Sequence, residues 1–132
     1  RRDVFLKIAP VNVTIGEDWV LWSRLSHLGN INFAGEKVVR KYRLHDNNMS
    51  TKTVINNPLQ AFRMLGIIFS DEQFIKKFGE EKLQNMKHKH IVRIYSSLAN
   101  HFMKNNMAKE AMFCKLAGQK GLEPEDAFRD FS

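Results

Sequence analysis

From residue 58 onward the apolar side chains recur at intervals of three and four, which leaves little besides packed helices for that half of the chain. Pro58 suits the first turn of a helix reaching about Phe69, because the N–H it lacks is one that a first turn leaves unbonded anyway. Phe62, Leu65 and Phe69 form the expected buried face. Ser70 and Gln73 have the spacing of a capping box for a short second helix that Gly79 ends. A longer helix is predicted from about Glu80, with Leu83, Met86, Ile91, Ile94, Leu98 and Phe102 toward the core. Asn105-Asn106 then turns the chain into a helix from Ala108 to about Leu116, giving a helical hairpin with small residues at its crossing.

The first half reads differently. Thr14 and Glu17 have capping-box spacing, and Trp19, Trp22, Leu25 and Leu28 follow at helical intervals until Gly29. That pattern places both tryptophans in the core. Residues 31–34 and 38–43 are short, rich in β-branched and aromatic side chains, and separated by Gly35-Glu36-Lys37, which predicts two strands. The apolar pattern breaks between residues 50 and 58. The expected fold class is therefore α+β and mostly helical: residues 1–52 carry a helix and two short strands, and residues 53–132 form a helical extension.

With 132 residues, 43% apolar and 27% charged, the chain can bury one ordinary core. No run of about 18 apolar residues occurs, and the start lacks the apolar stretch of a signal peptide. The single cysteine, Cys114, excludes an internal disulfide and fits a reducing compartment, so the expected location is the cytoplasm. A formal net charge of +7 points to an anionic partner: nucleic acid, phosphate or sugar diphosphate, or an acidic membrane surface. The basic residues are scattered, without the glycine-aromatic signature of an RNA-binding sheet or a Cys/His finger, so no specific nucleic acid is expected. His88 and His90, two apart on a helix, point to different sides and do not share a metal.

The chemically informative residues are Glu17-Asp18-Trp19, Leu21-Trp22 and Arg24-Leu25, followed downstream by Tyr42-Arg43, His45, Asn48 and Ser50. In this order and spacing they resemble family 2 glycosyltransferases of the GT-A fold, in which an acidic pair and Trp-x-Leu-Trp-x-Arg-Leu open a helix near the acceptor site. A Tyr-Arg-x-His-x-x-Asn-x-Ser segment lies downstream in that family. The resemblance covers about residues 1–50. It departs from the family at Ala9-Pro10-Val11-Asn12, where a Gly-Gly-Phe-Asp stretch is usual.

The resemblance implies an inverting transfer of a sugar from a nucleotide-diphosphate donor to a hydroxyl of a glycan or lipid-linked acceptor, in bacterial cell-surface polysaccharide synthesis. It implies Asp18 as the base that takes the hydroxyl proton, with Glu17 positioning it. Arg43, Asn48 and Ser50 are the implied contacts to substrate or diphosphate. His45 is the implied reach to a divalent cation, Mn²⁺ or Mg²⁺, held mainly by residues outside this chain. The family's nucleotide-binding half and its Asp-x-Asp motif are not in the sequence. The chain is thus expected to be a C-terminal portion, inactive alone, peripheral at the inner face of a membrane and prone to self-association through the surface its other half would cover. Two other readings stay open. Glu17 and Asp18 are also ordinary first-turn acids, worth about 0.3–1 kcal/mol each to a helix. The stretch 94–116 is alternatively the docking surface of a basic, non-catalytic helical module.

Overall fold

A computed structural model describes residues 16–29 and 57–130, together with Asp3, Leu6, Ile8 and Ile55, with only the backbone described for residues 128–130. Six helices are bounded within these residues: α1 (Glu17–Leu28), α2 (Pro58–Phe69), α3 (Glu72–Phe78), α4 (Glu80–Lys104), α5 (Ala108–Lys120) and α6 (Pro124–Asp130).

Pro58 opens α2 as the spacing predicts, and Ala61, Phe62, Leu65, Ile68 and Phe69 fall on one stripe and are buried. The helix ends at Ser70, whose backbone N–H and hydroxyl both donate to the Gly66 carbonyl. The cap of α3 is Asp71 rather than Ser70: its Oδ1 accepts the Phe74 N–H at 3.0 Å. A carboxylate one residue closer to the helix thus caps the Phe74 N–H, where the expected Ser70 box would have capped the Gln73 N–H. Gly79, at φ 84°, both closes α3 and starts α4. That backbone conformation is costly for any side chain with a Cβ.

The 25 residues of α4 form the spine of the molecule, burying Leu83, Ile91, Ile94, Tyr95, Leu98 and Ala99 along its length. Asn106 adopts a left-handed conformation at φ 59° in the turn to α5, one that asparagine tolerates better than most residues. The face of α5 against α4 is Ala111, Cys114, Ala117 and Gly118. Small side chains there bring the two axes close: a Cβ on Gly118 would lie 2.9 Å from the Tyr95 Cβ. The helix runs to Lys120, four residues beyond the expected end, and stops at Gly121 in the left-handed region at φ 65°. Beyond that turn Glu123 pairs with Lys87 on α4.

One core joins these helices, with Leu65 and Leu83 near its centre and Val20 of α1 in the same cluster. The described residues are 87% helical with no strand, so this is an all-helical fold among the described residues and the α+β expectation is corrected. That expectation rested on residues 31–34 and 38–43, both outside the described residues. Every described segment that reaches the core instead buries its side chains at helical intervals.

Candidate active-site corner on helix α1

Helix α1 begins at Glu17, with Gly16 as its N-cap at φ 71° and no side-chain cap. Glu17 is therefore the first helical residue, not the third as a Thr14 capping box requires, and Thr14 lies outside the described residues. The φ of Gly16 favours glycine, and the flexible Met64 side chain of α2 packs against it. Glu17 and Asp18 both project into solvent from the first turn. The Asp18 Oδ1 accepts the Trp19 N–H at 2.9 Å, one of the donors that a helix start leaves unpaired.

The opposite face of α1 is fastened to the helices downstream. Val20 is 1% exposed and packs into the core, and the Ser23 hydroxyl beside it donates to the Val20 carbonyl at 2.8 Å. His27 Nε2 lies 3.3 Å from Asp71 Oδ1, without the geometry of a hydrogen bond, and its ring meets the edge of Phe74. At the C-terminal end of α1 the Lys77 ammonium donates to the carbonyls of Ser26 and Gly29, placing a cation at the negative end of the helix. Arg24 donates to the Ile8 carbonyl at 2.7 Å. The acidic pair thus stands exposed on the first turn of a helix whose other face is held.

The tryptophans are not where the spacing placed them. Trp19 and Trp22 are 51% and 56% exposed, and Val20 and Ser23, one residue further round the helix, take the buried positions. Both indoles instead wall a shallow apolar groove of about 290 Å³ with Leu65, Phe74, Met86 and His90. Trp19 meets the His90 ring edge-on at a centroid distance of 5.6 Å. Burial, and then the neighbouring Arg93 charge, lower the His90 pKa below its usual value of 6.5. His90 is therefore a half-buried, packed aromatic ring, whereas His88 is exposed.

Of the residues assigned to the site, the structure brings Glu17 and Asp18 together. Arg43, His45, Asn48 and Ser50 lie outside the described residues. Among the described residues no group of three or more His, Cys, Asp or Glu side chains could hold a metal ion. Glu17 and Asp18 by themselves do not make a cation site.

A cavity of about 670 Å³ lies between α2, α4 and α5, lined in part by Phe62, Tyr95, Leu98, Phe102, Phe113 and Cys114. Its signal in the sequence is the pair Phe102 and Phe113, too bulky for a crossing otherwise made of alanine and glycine. Burial raises the Cys114 thiol pKa, which suits an inert core thiol and not a nucleophile. Within residues 94–116, Ile94 and Leu98 belong to the core, whereas Met103, Met107, Met112 and Leu116 are exposed. No helix among the described residues is long and apolar enough to cross a membrane. Comparison with protein-family models, curated proteins and solved structures finds no match to this chain.

Proposed function

We infer that this chain supplies the acceptor-side corner of an inverting glycosyltransferase similar to family 2, with Asp18 as the catalytic base. The observation that carries the reading is the placement of Glu17 and Asp18 in solvent on the first turn of a helix whose other face is anchored by Val20, His27 and Lys77. A general base must be reachable by its substrate yet held within hydrogen-bond range of one proton. An exposed carboxylate on an immobilised helix meets both requirements.

In the proposed reaction an acceptor hydroxyl donates its hydrogen bond to Asp18. As the oxygen forms its bond to the anomeric carbon, the carboxylate takes the proton. The bond between that carbon and the diphosphate oxygen breaks on the opposite face, and the electron pair leaves with the nucleotide diphosphate. Glu17 orients the acceptor or the base. The resemblance assigns Arg43, Asn48 and Ser50 to contacts with the diphosphate and His45 to a divalent cation that would neutralise the leaving charge when bound. On this reading the downstream helices are the buttress that holds α1 in place, and the enzyme works at the cytoplasmic face of a membrane on a glycan or lipid-linked acceptor.

The reading requires a nucleotide-binding half elsewhere on the same polypeptide. Determination of the coding sequence upstream of Arg1 tests it. Alternating strands and helices ending in an Asp-x-Asp motif are expected, and a start codon at or just before Arg1 would leave Glu17 and Asp18 as first-turn acids only.

A further inference from the structure

The tip of the α4–α5 hairpin combines two features that a simple helix turn does not need. Three apolar side chains are exposed there or within about one turn of it: Met103 is 52%, Met107 39% and Met112 57% exposed. Beside them stand two exposed lysines, Lys104 and Lys109, against one acid, Glu110. The same tip borders the 670 Å³ cavity, because Lys109 lines the cavity together with Leu59, which is 60% exposed at its rim.

We propose that this tip binds an anionic lipid at a bilayer surface, with the headgroup against Lys104 and Lys109 and the acyl chain in the cavity between α2, α4 and α5. The volume falls in the range of about 300–1,000 Å³ typical of small-molecule sites. The walls are apolar apart from Asn57, Tyr95, Lys109, Glu110 and Cys114. A peptide strand laid there would bury backbone donors and acceptors that these few groups could not satisfy, whereas an acyl chain has none to satisfy. Flexible methionines rimmed by lysines suit a fluid interface whose apolar layer lies beneath anionic headgroups. The excess of positive charge at the tip gives the surface its sign, and each lysine near an anionic leaflet is worth about fivefold in partitioning.

The test is flotation of the 132-residue chain with vesicles of phosphatidylglycerol and phosphatidylcholine, against phosphatidylcholine alone, at about 0.1 M salt so that charges beyond roughly 10 Å are screened. The chain is expected to float with the mixed vesicles and far less with the neutral ones. Lys104→Glu with Lys109→Glu should lower binding at least about 25-fold, the product of two such lysines. Lys82→Glu with Lys89→Glu, the same change in net charge placed about 22 Å or more from Lys104 along α4, should leave most of the binding intact. Leu59→Glu, at an exposed position, should abolish it while far-UV circular dichroism stays unchanged. The proposal is overturned by absence of flotation with mixed vesicles, by equal losses in the two lysine pairs, or by undiminished binding of Leu59→Glu. A concentration-dependent dimer that Leu59→Glu dissociates, without any vesicle binding, would assign the cavity to a second copy instead and also overturn it.

Discussion

Two glycines sit inside helices in opposite surroundings, so the same substitution at each isolates the cost of separating α4 from α5. At Gly66 an added Cβ meets nothing within 4 Å. Gly66→Ala should therefore show only the helix preference of alanine, a stabilisation of about 0.8–1 kcal/mol. At Gly118 the added Cβ lies 2.9 Å from the Tyr95 Cβ, an atom tied to the α4 backbone that no rotamer change can move. The alanine there gains the same preference but forces the helices apart where Ala111, Cys114 and Ala117 pack. Overpacking of this kind costs about 1–3 kcal/mol. Because the preference term is common to both, the difference between the two variants reports the overpacking directly. The predicted gap is about 1–3 kcal/mol, equivalent to about 4–11 °C in Tm for a chain of this length. Urea and thermal unfolding followed by circular dichroism measure it. Equal shifts of the same sign in both variants would refute the close crossing of α4 and α5.

Three further outcomes follow from the contacts around α1 and α3. Asp71→Ala removes the cap on the Phe74 N–H and the neighbour of His27, and should cost about 1–2 kcal/mol in chemical denaturation. Lys77→Met removes the cation at the end of α1, so hydrogen exchange should speed up in α1 while the amides of α4 keep their protection. His90 has a folded-state pKa lowered by burial, so the unfolded chain binds a proton more readily. Its contribution to stability is full above the unfolded value of about 6.5 and is lost as pH falls through the lower folded value. Denaturation midpoints measured across that range should drop on acidification, and His90→Gln should flatten the dependence.

The helices after residue 58 were legible because amphipathic spacing and glycine or proline stops agree there: Pro58, Gly79 and the Asn105-Asn106 turn all fall where the sequence places them. The failures have separate physical origins. Ser70 and Asp71 are both good caps, and only the position of Phe74 decides between them. The stripe on α1 was misread because Trp19 and Trp22 carry more apolar surface than Val20 and Ser23, so hydrophobicity alone points to the wrong face. Which face is buried depends on what α1 packs against, here α2 and α3, and the spacing within one helix carries no information about that. The cavity beside Phe102 and Phe113 likewise arises from three helices meeting, not from any one of them. The acidic pair is legible as a pair from its neighbours in sequence, whereas its exposure on the first turn of an anchored helix is not.

The most direct measurement of the central claim is sugar transfer by the complete gene product and its Asp18→Asn variant, assayed as nucleotide diphosphate release from a panel of nucleotide sugars. The account predicts turnover by the wild type and a loss of about 10²–10⁴-fold in the variant, the usual worth of a general base. The asparagine keeps the side-chain oxygen that accepts the Trp19 N–H, so circular dichroism should not change. Equal turnover by wild type and variant would contradict Asp18 as the base and leave it as an acid stabilising the first turn of α1.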